Sequence, residues 1–182
     1  MAAYAAFLRG INVGGHRVGG ADLCSALEEA GLRDVAAFRA SGNVVFTAER
    51  GSAARIASLV EERLEDSLGY EVPVLLRTAD EVRSIAARQP FPPGELEASD
   101  GKLQIVMLSR PPAKSACKAV LELATDDDRL AFGEQELYWL PSGGTQQSGL
   151  DFKAIGRLLG PITTTVRTKG TIEQIAAKFF SD

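Results

Sequence analysis

Short apolar runs alternate with amphipathic segments through the first half of the chain. Runs of small, β-branched and aromatic residues predict four strands, at Tyr4–Leu8, Val35–Arg39, Val44–Thr47 and Val72–Arg77. Apolar residues at helical spacing predict one helix over Asp22–Ala30 and a longer one that Ser52 caps and Gly69 ends. The resulting order, βαββαβ, is typical of a ferredoxin-like unit.

The second half of the chain repeats this order. Four more strands are predicted at Leu103–Leu108, Arg129–Phe132, Glu136–Leu140 and Ile162–Val166. Helices are predicted over Ala113–Ala124 and from a start at Ser148–Asp151 to a stop at Gly160. The two halves share this pattern without obvious sequence identity.

Each half is followed by one extra helix that a capping box opens. The boxes are Thr78–Glu81, whose helix is expected to reach Arg88, and Thr171–Gln174. We therefore predict an α+β fold of two ferredoxin-like βαββαβ subdomains in tandem, each followed by an extra helix. The predicted boundaries are 1–77 for the first subdomain, 78–101 for a helix and a Pro/Gly-rich linker, and 102–182 for the second subdomain with the C-terminal helix.

Length and charge narrow the function classes. A chain of 182 residues, 45% apolar and 24% charged, fits two small globular domains and excludes long disorder. The chain has a net charge of −4, whereas sequence-independent nucleic-acid binding depends on a cationic protein surface. Nucleic acid is therefore disfavoured as a partner. No apolar run approaches the roughly 20 residues of a membrane span, and the N-terminus lacks the basic segment of a signal peptide. A cytoplasmic protein without membrane contact is therefore expected.

The rare residue types offer little for metal or thiol chemistry. One histidine and two cysteines are too few for the usual zinc sites, so no metal site is predicted. Cys24 and Cys117 fall in predicted helices and are expected to be buried free thiols. His16 is expected on the surface without a special role, and Trp139 in the core or at an interface. Asp126–Asp128 is expected to form a solvated turn, with Mg²⁺ ligation as the alternative.

A ligand site is predicted where polar, glycine-rich loops meet. In a ferredoxin-like sheet the loop Arg9–Gly20 lies beside the turn Arg39–Asn43, because the first and second strands are parallel. Glycines let backbone N–H groups approach an anion, and arginine is suited to bind one; the alternative is that the glycines only make tight connections. The predicted ligand is a small anionic or nucleotide-like molecule, and its predicted contacts are Arg9, Gly10, Asn12, Gly14, Gly15, Arg39, Ser41, Gly42, Asn43 and, from the second half, Arg167.

Two of these segments also carry a family resemblance. Leu8–Gly15 (Leu-Arg-Gly-Ile-Asn-Val-Gly-Gly) and Ser41–Phe46 (Ser-Gly-Asn-Val-Val-Phe) together resemble the family catalogued as domain of unknown function 1697. Near the C-terminus Arg167 fits the pattern of that family, whereas Thr168 and Lys169 replace its asparagine and tryptophan. The resemblance implies a bacterial-type protein with a two-subdomain α+β fold, and it implies no established reaction.

Function classes other than ligand binding stay open at this point. If the glycine-rich loops support chemistry, group transfer or hydrolysis is the class that their dipoles favour, with an unknown cofactor. The alternative is a non-catalytic module for protein–protein interaction or homo-oligomerisation through an edge strand or open sheet face. RNA binding on such a face is disfavoured, because Gly42–Thr47 lacks the aromatic pattern of RNA-binding sheets.

Overall fold

The computed structural model describes residues 1–100 and 102–181. The strands are β1 Ala2–Leu8, β2 Arg33–Ala37, β3 Asn43–Ala48, β4 Val74–Thr78, β5 Gln104–Leu108, β6 Asp128–Phe132, β7 Glu136–Pro141 and β8 Thr164–Thr168. The helices are α1 Gly20–Glu29, α2 Ala53–Leu68, α3 Ala79–Ala87, α4 Pro93–Ala98, α5 Lys114–Leu121, α6 Phe152–Leu159 and α7 Lys169–Phe179. Within the described residues no helix combines the length and apolar character needed to cross a bilayer.

The strands form two four-stranded sheets of the same topology. The first has the order β2-β3-β1-β4 and the second the order β6-β7-β5-β8. Neighbouring strands are antiparallel in both sheets, with β1 and β5 in equivalent central positions. This is the ferredoxin-like order twice, so the predicted fold class is confirmed.

The chain divides into two compact units. Unit 1 consists of Met1–Ala86 and the C-terminal segment that begins at Glu173, and unit 2 consists of Ala87–Ile172. Most of α7 therefore belongs to unit 1, although it follows unit 2 in the sequence.

Each unit has its own apolar core between its sheet and its helices. In unit 1 alternate residues of β1, such as Tyr4 and Leu8, cluster with Leu27 of α1 and Val60 of α2. Unit 2 is built in the same way, and its core contains Val106, Leu108, Val120, Leu137, Trp139, Ile155 and Leu159. The predicted core position of Trp139 is thus confirmed, at 4% exposure.

Helix signals in the first half act as the sequence predicts. The Ser52 hydroxyl accepts a hydrogen bond from the N–H of Arg55, and Gly69 ends α2 in the left-handed conformation at φ 79°. The Thr78 box is reciprocal: its N–H donates to the Glu81 carboxylate at 2.7 Å, and its hydroxyl accepts from the Glu81 N–H at 3.2 Å.

Three helix predictions in the second half are wrong. Helix α4 forms inside the predicted linker, because Pro93 suits the first turn of a helix. The last helix begins before the predicted box, since the hydroxyl of Thr168 accepts from the N–H of Thr171 at 3.2 Å. Helix α6 is capped by Asp151, whose carboxylate accepts from the Ala154 N–H at 2.9 Å, and not by Ser148.

The thiols also differ from expectation. Cys24 and Cys117 are free, as predicted, but both are half-buried and not fully buried. The helices that carry them bury only a narrow stripe, represented by Leu23 and Leu27 in α1 and by Val120 in α5.

The last strands of the two units share a motif that the sequence comparison of the halves missed. Arg77 pairs with Ala5 of β1, and Arg167 pairs with Ile105 of β5, which are equivalent positions. Both arginines are buried, and each donates from Nη1 to the carbonyl of its preceding residue, at 2.9 Å and 2.8 Å respectively. The next residue is Thr78 or Thr168, whose hydroxyl caps the following helix. The two halves therefore repeat a local sequence, Arg-Thr, as well as a pattern.

Candidate functional site

The loop after β1 and the turn before β3 are joined by one side chain. The Asn12 carboxamide donates from Nδ2 to the carbonyl of Ala40 at 2.7 Å, and its Oδ1 accepts from the N–H of Val18 at 2.7 Å. Asn12 itself has φ 58°, a left-handed conformation that asparagine tolerates better than most residues. It thereby folds residues 9–20 back on themselves and holds them against residues 39–43. We call these two segments together the loop face.

The turn of the loop face is fixed from inside. Asn43 is 1% exposed and donates from Nδ2 to the Phe38 carbonyl and to the Ser41 hydroxyl, both at 2.9 Å. Gly42 has φ 74°, and its carbonyl accepts from the N–H of Leu8 at 2.8 Å. A side chain at Gly42 would lie 3.1 Å from the Cβ atoms of Leu8 and Ile11, so close packing as well as backbone conformation requires glycine here.

The three predicted glycines of the loop lie in open space. Gly10, Gly14 and Gly15 have φ values of 78°, 62° and 91°, and nothing lies within 4 Å of where a Cβ would stand on any of them. Their conformation explains why these positions are glycine, and their exposure leaves the adjacent backbone open to a ligand.

The loop face is cationic in an otherwise acidic chain. Residues 1–21 and 35–48 contain three arginines and the single histidine, and no aspartate or glutamate. Arg9 is exposed, and within the described parts of the chain its guanidinium makes no hydrogen bond or ion pair. Arg39 is exposed but held: Nη2 donates to Gln174 Oε1 at 2.6 Å, and its guanidinium carbon lies 5.5 Å from the Phe38 ring centroid.

The histidine of the loop is engaged in a ring contact. His16 is exposed, and its ring centroid lies 4.2 Å from that of Tyr70, with the planes tilted by 35°. The Tyr70 hydroxyl is buried without a hydrogen-bond partner among the described residues. The His16 ring therefore packs as an aromatic surface over Tyr70.

The predicted ligand residues fall into three groups: some lie on the surface of the loop face, some hold its loops in place, and Arg167 belongs to unit 2. Arg9, Gly10, Gly14, Gly15 and Arg39 lie on the surface of the loop face, as does the exposed Ser41. Gly42 and Asn43 are buried beneath it, and both asparagines use their amide groups to hold the loops. The two asparagines therefore position the loop face, whereas direct contact with a ligand stays a prediction for all of these residues.

Arg167 belongs to unit 2, where it lies in the sheet. It is 7% exposed, and Nη1 donates to the Thr165 hydroxyl at 2.8 Å. Burial lowers the pKa of its guanidinium to about 10, because desolvation disfavours the charged form. Its role within unit 2 is that of Arg77 in unit 1, a buried arginine at the end of the last strand.

Comparison with known proteins places the chain in a family. The family described as "Protein of unknown function (DUF1697)" matches residues 1–138. The chain belongs to the DUF1697 family. One solved structure that resembles this DUF1697 protein is a conserved bacterial protein from Streptococcus pneumoniae, with 20% identity, a TM-score of 0.74, and coverage of 100% of this chain and 99% of that one. A search of curated proteins finds no match.

A second group of polar residues in this DUF1697 protein is not among those predicted from the sequence. Asp128, expected in a solvated turn, is 1% exposed, and its Oδ1 accepts from Trp139 Nε1 at 2.7 Å and from the Ser148 hydroxyl at 2.6 Å. The pairing of β6 with β7 buries this carboxylate, which the Asp-Asp-Asp run does not indicate. Within the described residues no group of three or more His, Cys, Asp or Glu side chains is placed to hold a metal ion.

Asp128 lines a cavity of about 340 Å³ in unit 2. The other lining residues come from two loops and are Thr125, Asp127, Pro141, Ser142, Gly143, Gly144, Gln147, Ser148 and Gly149. Ser142, Gly143 and Gly144 belong to a glycine-rich loop between β7 and α6. The sequence signal for this cavity is the presence of that loop together with the aspartates that lead into β6.

Proposed function

We propose that this DUF1697 protein binds a small anionic ligand, of phosphate or nucleotide type, on the loop face of unit 1. The observation that carries the proposal is the 2.7 Å hydrogen bond from Asn12 to the carbonyl of Ala40. It holds together two loops that carry Arg9, Arg17 and Arg39 and no acidic residue.

Electrostatics favour an anion over a neutral or cationic ligand. Like charges on neighbouring loops repel each other, and an anion that bridges them removes that repulsion. Guanidinium groups match phosphate and carboxylate oxygens in geometry and bind them through paired hydrogen bonds. Because the loop face is exposed, salt is expected to weaken this attraction.

The loop face also supports the proposal by being ordered before a ligand arrives. Arg39 is oriented by Gln174 and Phe38, so little side-chain freedom is left for binding to remove. Arg9 is unpaired within the described residues and supplies an available charge. The backbone at Gly10, Gly14 and Gly15 is uncovered, which lets an anion approach N–H groups directly.

Isothermal titration with inorganic phosphate, pyrophosphate and AMP tests the proposal. Arg9→Ala is the cleanest variant, because among the described residues the exposed Arg9 side chain makes no hydrogen bond, ion pair or ring contact. The double variant Arg9→Ala/Arg39→Ala is expected to abolish binding while the circular dichroism spectrum stays unchanged. Arg55→Ala, which removes an exposed arginine from α2, is the matched control and is expected to bind like the wild type.

Two results would overturn the proposal. One is a wild-type protein that binds none of the three anions at low salt. The other is a double variant that binds them as tightly as Arg55→Ala does, which would place any anion site elsewhere.

A further inference from the structure

We propose that the cavity of unit 2 is a second ligand site, which takes a small organic molecule bearing a primary ammonium group. The cavity shares no residue with the loop face, and its charged lining residues are acidic, whereas those of the loop face are basic. Its volume of about 340 Å³ lies at the lower end of the range for small-molecule sites, roughly 300–1,000 Å³.

The charge of the lining points to a cation. Asp127 and Asp128 both line the cavity, and the lining includes no lysine, arginine or histidine. The remaining polar lining groups, from Thr125, Ser142, Gln147 and Ser148, all offer oxygen acceptors. A ligand that donates hydrogen bonds and carries a positive charge is complementary to this set.

The burial of Asp128 adds an independent argument. This carboxylate is 1% exposed, and within residues 1–100 and 102–181 no basic side chain pairs with it. Its Oδ1 accepts two short hydrogen bonds, but its Oδ2 has only a 3.5 Å contact with the Thr125 hydroxyl. Burying a charge without a countercharge is costly, so a bound cation would supply the compensation that the protein itself lacks.

Asp127 is placed to make the first contact with such a ligand. It lines the cavity and is exposed, and its Oδ1 accepts from the hydroxyl of Ser142, another lining residue, at 3.3 Å. An ammonium group donates three hydrogen bonds without a fixed plane, which suits acceptors scattered around a cavity. A divalent metal ion fits less well, because the described residues provide no cluster of three carboxylate, imidazole or thiolate ligands.

The protein carries its own reporter for this site. Trp139 is the only tryptophan, and its Nε1 donates to Asp128. The experiment titrates the whole protein with ethanolamine and 1,4-diaminobutane while tryptophan fluorescence and binding heat are recorded. Ethylene glycol, which has the hydroxyl group but no charge, is the matched probe, and MgCl₂ is the inorganic comparison.

The variants separate the cavity from the acidic surface around it. Asp127→Asn removes one charge at nearly constant shape, whereas Asp126→Asn removes the neighbouring charge, which does not line this cavity. We expect Asp127→Asn to weaken ammonium binding by about tenfold, the factor that the loss of one charge-assisted hydrogen bond brings. Asp126→Asn and Arg9→Ala are expected to leave binding unchanged.

The proposal is overturned if neither amine changes the fluorescence or releases heat at millimolar concentration. It is equally overturned if Asp126→Asn weakens binding as much as Asp127→Asn, because the attraction would then be a general surface effect. Binding of ethylene glycol or MgCl₂ with the affinity of the amines would also reject an ammonium site.

Discussion

The indole Nε1 of Trp139 donates a 2.7 Å hydrogen bond to Oδ1 of Asp128, and both residues are almost completely buried. The bond crosses the hairpin of β6 and β7, so it ties an acidic turn to the core of unit 2. The same Oδ1 accepts from Ser148, which leads into α6. One carboxylate thus connects a strand, a core aromatic and a helix start.

We expect Asp128→Ala to destabilise the protein strongly. The substitution leaves the Trp139 N–H buried without an acceptor and deprives Ser148 of its partner, at a cost of about 3 kcal/mol. Ser148→Ala removes only one of the two bonds and is expected to cost about 1 kcal/mol. Urea unfolding followed by tryptophan fluorescence measures both. Equal effects of the two substitutions would mean that the Trp139 bond contributes little.

The second prediction compares two glycines with the same backbone conformation. Gly42 and Gly69 have φ values of 74° and 79°, but only Gly42 faces close neighbours, the Cβ atoms of Leu8 and Ile11 at 3.1 Å. Gly69→Ala is expected to cost about 1 kcal/mol, for backbone strain alone. Gly42→Ala adds overpacking and is expected to cost about 3 kcal/mol. Thermal and urea unfolding of the two variants provide the comparison, and a smaller cost at Gly42 than at Gly69 would contradict the packing.

A third prediction concerns the order of the loop face. Asn12→Gly keeps the left-handed backbone easy to adopt but removes the hydrogen bonds to Ala40 and Val18. We expect the Val18 N–H to exchange with deuterium much faster in this variant, while the Leu8 N–H, bonded to Gly42, stays protected. Val18 exchange as slow as in the wild type would show that other contacts order the loop.

Tyr138 gives the protein a pH dependence at high pH. Its burial, reinforced by the nearby Glu136 carboxylate and partly opposed by Arg88, raises the pKa of the hydroxyl from 10.0 to about 12. Between these values the unfolded tyrosine loses its proton while the folded one keeps it, so the Tyr138 contribution to stability declines as pH rises from about 10 to 12. Arg167 acts in the opposite direction, because its folded pKa of about 10 lies below the unfolded value and deprotonation relieves a buried charge.

Tyr138→Phe separates the two effects. The unfolding free energy of the wild type minus that of this variant contains the Tyr138 contribution without that of Arg167. This value is expected to fall above pH 10 by up to about 1.4 kcal/mol per pH unit, so the variant becomes progressively more stable relative to the wild type. Below pH 10 the variant is expected to be at least as stable as the wild type, since the Tyr138 hydroxyl has no hydrogen-bond partner among the described residues. A difference that stays constant from pH 9 to pH 12 would contradict the raised pKa.

The parts of the fold that the sequence predicts are those set by neighbouring residues. Ser52, Gly69 and the Thr78 box act within one turn of a helix, and strand order follows from a repeated pattern of short elements. Thr171 shows where such signals mislead. Its spacing to Gln174 resembles a capping box, but the residue that caps the helix is Thr168, three residues earlier. The helix begins there because β8 ends at Thr168.

In the candidate site, too, the features set by neighbouring residues or by topology are predictable, whereas contacts between distant residues are not. The glycines at positions 10, 14, 15 and 42 all have positive φ in the structure, and topology correctly predicts that the loop of Arg9 lies beside the turn of Asn43. The use of the Asn12 and Asn43 amides could not be foreseen, because their partners depend on how each loop folds. The burial of Asp128 could not be foreseen for a related reason, because its partner Trp139 lies eleven positions away on a different strand.

The discontinuity of unit 1 has a consequence for biosynthesis. Its sheet, including β4, is translated well before α7, whose residues from Glu173 onward belong to the same unit. Unit 2 is therefore complete in sequence while unit 1 still lacks its final segment, so Arg39 can meet Gln174 only after all of unit 2 has been translated. The unit that begins first in the sequence is thus completed last, unlike domains joined end to end, which are synthesised one after the other.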